Sequence, residues 1–244
     1  MKIYFLGTNG WYTTPTGNTP CILIDSQEGY TIFDAGNGIY KISEYITQDK
    51  PISLLISHFH LDHVSGFHSK STQPIFPRPM DVYIGKGRIK DFEILVNPPY
   101  INTKTSLKVH ELTEGKHNIG LPVEVFKMRH THGSHGFRLT LEDKTIAYSG
   151  DTGICPNSKP LSQNADLLIH ECSYIKAPEP ETWGHVDPIL AANLAKEADV
   201  KKLILTHFDA SLYPDLDKRK WAETETKKIF PNTIAATDNL ILEL

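Results

Sequence analysis

Three histidines and an aspartate fall within six positions of the stretch Ser57-His-Phe-His-Leu-Asp-His-Val-Ser-Gly66. Imidazole and carboxylate in that density suit the binding of divalent metal ions, whose charge can activate water for hydrolysis. The competing reading is a chance cluster on a solvated loop. With 12 histidines in 244 residues, the pattern H-x-H-x-D-H arises by chance in about two of a thousand such chains, a low rate for a short motif. The apolar run Ile52 to Ile56 before it reads as a buried strand, so the histidines begin where a strand ends. Open α/β sheets place their ligands at that edge. On extended backbone His58 and His60 point the same way, two residues apart. Asp62 and His63 follow as the chain turns and face a neighbouring point. One ion takes three or four ligands, so the geometry suits two adjacent ions better than one.

Other strand ends repeat the pattern. Met128-Arg-His-Thr-His-Gly-Ser-His135 offers His130, His132 and His135 after a strand. Ala147-Tyr-Ser-Gly-Asp-Thr-Gly153 presents Asp151 on a tight turn, and Leu203-Ile-Leu-Thr-His-Phe208 ends in His207. Apolar strands that repeatedly terminate in His or Asp point to convergence on one site.

The elements that would carry these residues are legible in outline. Strands are predicted at Lys2–Leu6, Cys21–Asp25, Tyr30–Asp34 and before His58, with a helical stretch around Gly38–Ile46. A strand Val82–Ile84, a helix near Arg88–Leu95 and a strand Lys108–Leu112 follow. The second half gives strands at Val123–Met128, Phe137–Leu141, Thr145–Ser149 and Leu167–His170. A helix then starts at Asp187-Pro188, aspartate as N-cap and proline at the first helical position, with Ile189, Ala192, Leu194, Ala195 and Ala198 as its apolar face. Lys202–Thr206 is strand, Leu216–Phe230 helix, and Thr233–Thr237 and Leu240–Leu244 strands. Strands followed by helix in each half predict an α/β fold of two packed mixed sheets with helices outside, an αββα sandwich, in one domain over residues 1–244. Net charge is −4 with 39% hydrophobic residues, an ordinary globular composition. The first residues hold too short an apolar run for a signal-peptide core, and no run approaches a membrane span. Cys21, Cys155 and Cys172 are odd in number and form no CxxC, which predicts reduced thiols and a cytoplasmic protein.

HFHLDH, a downstream histidine, SGDTG and LTHF together resemble the metallo-β-lactamase-fold hydrolase superfamily, over nearly the whole chain. The resemblance implies that His58, His60 and His130 hold one ion, that Asp62, His63 and His207 hold a second, and that Asp151 bridges them. His130 is chosen because His-Thr-His-Gly-Ser-His-Gly-Phe-Arg resembles the family's ligand six residues before Gly-aromatic-Arg; His132 is the alternative. Asp62 is taken as catalytic as well as ligating. Within the superfamily, Leu168-Ile-His-Glu-Cys172 and the Gly184-His185 block resemble ribonuclease Z and related phosphodiesterases. That group usually carries a long tRNA-clamping arm, whereas only 66 residues separate His63 from His130 here, and none of that interval is long and Gly-rich. The resemblance also implies a homodimer.

Two ions about 3.5–4 Å apart lower the pKa of a shared water and take up phosphoryl charge, so hydroxide becomes available near neutral pH. The donors suit zinc, with manganese or iron as alternatives. His185 is expected to contact phosphate or to give a proton to the leaving alkoxide. His170 and Glu171 either orient a ligand histidine from behind or form a buried polar pair. Asp34 is expected to support the His58 loop; His68, His110 and His117 read as ordinary polar residues, and Gly7-Thr-Asn-Gly10 as a turn. Residues 70–108 carry seven Lys/Arg (70, 78, 86, 88, 90, 104, 108) against Asp81, Asp91 and Glu93. With Pro74, Pro77, Pro79, Pro98, Pro99, Phe67, Phe76, Tyr83 and Tyr100, they form either a basic aromatic rim over the site or a surface crossover whose aromatics pack inward. The function expected is that of a dinuclear metal-dependent phosphodiesterase acting on RNA ends, cyclic nucleotides or small phosphodiesters. The alternatives are an acyl hydrolase opening a lactone or thioester, and a non-catalytic metal-stabilised binding module.

Overall fold

The computed structural model describes residues 1–71, 79–100 and 107–244. Two seven-stranded sheets make up most of it. The first runs, edge to edge, Leu240–Glu243, Lys2–Gly7, Cys21–Asp25, Tyr30–Phe33, Ile52–Leu55, Met80–Gly85 and Leu107–Leu112. The second runs Thr233–Ala235, Leu203–Thr206, Leu167–Glu171, Lys144–Tyr148, Ser134–Leu141, Pro122–Met128 and Gly115–Asn118. Each is mixed. In the first, the pairs from Tyr30–Phe33 through Leu107–Leu112 are parallel; in the second, those joining Lys144–Tyr148, Leu167–Glu171, Leu203–Thr206 and Thr233–Ala235 are.

Three apolar layers follow from this order. The middle one lies between the sheets and is built around Phe5, Phe33, Phe137, Leu139, Ile146 and Ile204. There Phe33 stacks on Tyr148 at 4.7 Å between ring centroids and on Phe137 at 6.1 Å. The outer face of the first sheet is covered by the 3-10 helix Asn37–Glu44 and the helix Ile89–Val96, through Ile39, Ile42, Phe92 and Val96. The outer face of the second is covered by Ser158–Ser162, Pro188–Glu197 and Leu216–Lys227, through Leu161, Ala191, Ala195 and Ala222. Central strands buried on both faces read as continuous apolar runs, as in Ile52–Leu55 and Leu203–Thr206. The αββα sandwich read from the sequence is the fold observed. No helix among the described residues is long and apolar enough to cross a membrane, and the three cysteines are free.

Four expectations need correction. Asp187 caps its helix by accepting from the Ile189 and Leu190 N–H groups at 3.0 and 2.9 Å, but Ile189 is exposed and Ala191 takes its place inside. The strand expected to begin at Phe137 begins at Ser134, because Ser134, His135 and Gly136 already pair with Met128, Lys127 and Phe126. The last helix stops at Lys227 and not at Phe230. Gly7-Thr-Asn-Gly10 is more than a turn: Asn9 and Gly10 pair in parallel with Phe208 and Asp209, as a two-stranded ribbon beside the large sheets.

The helix Leu216–Lys227 is pinned by Glu223, which accepts from Lys220 and Lys227 at 2.6 Å and from the Ala235 N–H at 3.0 Å. Although burial opposes its charge, these donors push its pKa down to about 2. A depressed carboxylate contributes stability above its unfolded pKa, near 4.3, and loses it as pH falls toward the folded value. Glu223→Gln is therefore expected to lower the melting temperature at pH 7 and to converge on the parent by about pH 2. Equal melting temperatures at both pH values would sink the assignment.

Candidate metal centre

The carboxyl ends of the parallel strands meet along one edge of the sandwich, and the chemistry-bearing residues are there. After Ile52–Leu55 the chain stays extended through His60 (φ −64°, ψ 145°) and then coils into the four-residue helix Leu61–Val64. His58 and His60 thus share a face, their rings 4.6 Å apart, while Asp62 and His63 swing to the next point. His130 follows Pro122–Met128, Asp151 follows Lys144–Tyr148, and His207 follows Leu203–Thr206. His207 takes a left-handed backbone (φ 53°), which non-glycine residues adopt where surrounding structure enforces it.

Two groups result, with a third overlapping them. The ligand atoms of His58, His60, His130 and Asp151 lie within 4.8 Å of one another, as do those of Asp62, His63 and His207; those of Asp151, His185 and His207 do so as well. Asp151 stands between the groups. Its Oδ1 is 3.3 Å from His63 Nε2, and its Oδ2 is 3.2 Å from His207 Nε2, 3.7 Å from His58 Nε2 and 3.8 Å from His130 Nε2. Asp62 Oδ2 lies 3.2 Å from His207 Nε2 and 3.7 Å from His63 Nε2.

These residues fit metal ions by a test internal to the structure. His58 Nε2 and Asp151 Oδ1 are buried without a hydrogen-bond partner, a costly arrangement unless a cation serves them. Four of the five histidines engage their outward nitrogen elsewhere, which fixes the ring and turns Nε2 inward. His63 Nδ1–H donates to Asp34 at 2.8 Å, and the Nδ1 atoms of His58, His130 and His207 meet Ser57 Oγ, the Gly184 carbonyl and Ser173 Oγ at 3.0, 3.2 and 3.4 Å. Electrostatics agree. Burial holds His58, His60 and His130 below the ordinary imidazole range. At His63 burial is outweighed by Asp151, Asp62 and Asp34, which raise its pKa well above that range. Burial is outweighed again at Asp62 and Asp151, where His63 and His207 hold both carboxyls below theirs. A buried site that draws positive charge this strongly is suited to a divalent cation.

Asp34 does what was expected of it and more: it accepts from the Ser57 N–H (2.7 Å), the Ser57 hydroxyl (2.9 Å) and the Tyr148 hydroxyl (2.6 Å) as well as from His63. His132 lies outside both groups; its carbonyl accepts from Arg88 at 2.7 Å. His135 bonds back to the Ser57 carbonyl. His110 pairs with Asp81, and His117 meets the Thr113 carbonyl; His68 meets the Ser65 carbonyl.

His170 and Glu171 are both buried, and His170 Nδ1 meets the Glu171 carbonyl at 2.9 Å. Successive strand residues face opposite sides of a sheet, so only Glu171 turns to the site. It accepts from His185 Nδ1 at 2.8 Å, from the Thr152 and Ser173 N–H groups at 3.1 and 3.0 Å, and from the Val186 N–H at 3.3 Å. Burial disfavours charge on His185, yet Glu171 outweighs it and raises the imidazole to about 9. His185 lies 4.9 Å from the His130 ring and 5.8 Å from the His207 ring. Gly184 has φ +92°, and a Cβ there would fall 2.2 Å from the Arg129 carbonyl, so glycine is required to pass that backbone and deliver His185.

Sequence reasoning missed the ribbon at Asn9–Gly10. The Trp11 N–H donates to Asp62 Oδ2 at 2.8 Å, and a Cβ on Gly10 would fall 2.6 Å from the His207 ring. Arg219, fully buried, ties the ribbon down through Thr8 Oγ1 at 2.7 Å and the Asn9 side chain. The two glycines of Gly7-Thr-Asn-Gly10 were the available signal, since close approach is a use of glycine distinct from turning.

On the His58–His60 side opens a cavity of about 920 Å³, lined by Phe59, Leu61, Ile94, Leu95 and Tyr100 together with Lys86, Arg88 and Lys127. Of the basic interval, Arg78 and Lys104, with Pro74, Phe76 and Pro77, lie outside the described residues. Phe67 and Tyr83 pack inward, whereas Tyr100 is exposed.

Known proteins resemble the chain throughout. Residues 31–208 match the family described as the Beta-lactamase superfamily domain. A probable metallo-hydrolase of Bacillus subtilis, YhfI, is 26% identical over 85% of this chain and 86% of its own; its crystal structure superposes with a TM-score of 0.82 over 99% of both chains, at 24% identity. A ribonuclease Z of Methanosarcina acetivorans is 27% identical over 100% of this chain and 98% of its own, in an alignment of 307 positions. The crystal structure of the short form of human tRNase Z superposes with a TM-score of 0.78 at 22% identity, over 100% of this chain and 99% of that one.

Proposed function

Because the chain belongs to the beta-lactamase superfamily, with the metallo-β-lactamase fold, we propose that it is a dinuclear metal-dependent phosphodiesterase. His58, His60 and His130 would hold one ion, and Asp62, His63 and His207 the other, with Asp151 shared. Zinc is the first choice for these donors, manganese or iron the alternatives. When bound, such ions supply Lewis acidity, acidifying water and neutralising phosphoryl charge.

The observation that carries the proposal is the His185–Glu171 pair beside the clusters. A leaving alkoxide is a poor leaving group and needs a proton. His185, its Nδ1 bonded to Glu171, has Nε2 to give one, and Glu171 stabilises the imidazolium until the P–O bond breaks. Asp62, steadied by the Trp11 N–H, orients the attacking water and receives its proton. The water oxygen ends on phosphorus, the leaving oxygen takes the proton from His185, Asp62 passes the water's proton to solvent, and the imidazole recovers one from solvent. The ribonuclease Z alignment spans 307 positions against 244 residues here, so that relative has extra length. This supports short RNA ends or small phosphodiesters as substrates in preference to a clamped tRNA. The proposal extends to a homodimer in the cytoplasm.

An acyl hydrolase is the second reading, favoured by the apolar cavity beside His58 and His60. The zinc-reconstituted protein should bind about two ions per chain, turn over bis(4-nitrophenyl) phosphate, and leave lactones and thioesters intact. The reverse substrate pattern at full metal content would establish the second reading and end the first.

A further inference from the structure

Two indoles stand exposed at the mouth of the site. Trp11 is 46% and Trp183 50% accessible, their ring centroids are 5.7 Å apart and their planes tilted by 58°. Large apolar side chains left open beside a reactive centre mark a binding surface. These two are also held in place. The Trp11 backbone is in the left-handed region (φ 69°), fixed by its N–H bond to Asp62. Such backbone persists only where neighbours enforce it. Trp183 sits in a brace: Glu181 accepts the Trp183 and Gly184 N–H groups at 2.8 Å, Arg129 holds Glu181 at 2.7 Å, and the Trp183 carbonyl accepts from the Thr131 N–H at 3.2 Å. The Trp11 ring is 6.4 Å from His185. Trp183 is thus carried by the segment that delivers His185, and Trp11 is tied through its own N–H to Asp62.

We propose that Trp11 and Trp183 form a stacking corner for a nucleobase, so that the ester cut here carries a nucleoside on the His185 side. A tilted pair offers one indole face for stacking and the other ring for edge contact, and stacking accepts any base because every base has a π-face. The Trp11 ring beside the proposed proton donor favours a substrate group over a protein partner. The assignment rests on the phosphodiesterase reading of the same site and names its substrate class.

The test is binding to the zinc-loaded protein, with adenosine 5′-monophosphate and ribose 5-phosphate as probes, by calorimetry and tryptophan fluorescence. The nucleotide should bind about tenfold more tightly, as expected for one stacked base, and quench the indole emission. Trp183→Ala and Trp11→Ala should each remove most of that preference at unchanged zinc content, and Trp183→Phe should keep most of it. Equal affinity for the two probes, or no binding of either at millimolar concentration, overturns the proposal. So does a preference that survives Trp183→Ala, including the case in which that variant turns a dimer into a monomer, since the corner would then be covered by a second copy. Failure of the phosphodiesterase reading appears differently, as absent turnover of bis(4-nitrophenyl) phosphate with the nucleotide preference intact.

Discussion

Asp151→Ala is expected to reduce bound zinc to at most about one ion per chain and to cut turnover of bis(4-nitrophenyl) phosphate by roughly a thousandfold or more. Loss of supports behind the ligands already costs about 10–100-fold in such sites, and Asp151 stands in front. It is the carboxylate between the two groups, within 3.2–3.8 Å of His207, His63, His58 and His130. Removing it leaves five imidazoles facing one another with Asp62 as the one carboxylate among the remaining proposed ligands, so the charge that would offset two dications falls by half. Metal analysis and turnover on the same preparation check this, with Asp34→Ala as the milder comparison. Retention of two ions by the Asp151→Ala protein would remove the aspartate from the shared position.

His185→Ala should separate chemistry from metal binding. Zinc content is expected to stay at the parent value while turnover falls about 10²–10⁴-fold, the range of a lost general acid. The pH profile carries the sign. His185 is held protonated up to about 9 by Glu171, against the pull of burial. A reaction that needs the imidazolium therefore keeps its rate below that pH and loses it as pH rises through it. The alanine variant should lack that alkaline limb, and Glu171→Gln should move it to lower pH, since the carboxylate that raises the pKa is gone. An unaltered limb in both variants would assign the titration to another group.

Much of the candidate site was legible because its residues stand at strand ends, where an apolar run breaks into His or Asp. The segments carrying His58, His130, Asp151 and His207 all announce themselves this way, and the spacing of His58, His60, Asp62 and His63 already implies an extended stretch followed by a coil. The choice between His130 and His132 needed three dimensions, because both follow the same strand and the backbone turns between them. The two readings of His170 and Glu171 also needed three dimensions: His170 Nδ1 meets the Glu171 carbonyl at 2.9 Å, while the Glu171 carboxylate turns to His185. The Trp11 contact was invisible for a different reason: its active group is a main-chain N–H, which any residue would supply. Ile189 looked interior by helical spacing, but it is exposed and Ala191 is the residue buried.

The proposed ligands are divided between the two sheets. His58, His60, Asp62 and His63 come from the first, and His130, Asp151 and His207 from the second. The centre therefore lies on a seam, and a bound ion would act as a rivet across it. Occupancy and docking of the halves then become one equilibrium. A substitution deep between the sheets, at Phe33 or Phe137 for instance, could spoil the jaws without touching a ligand.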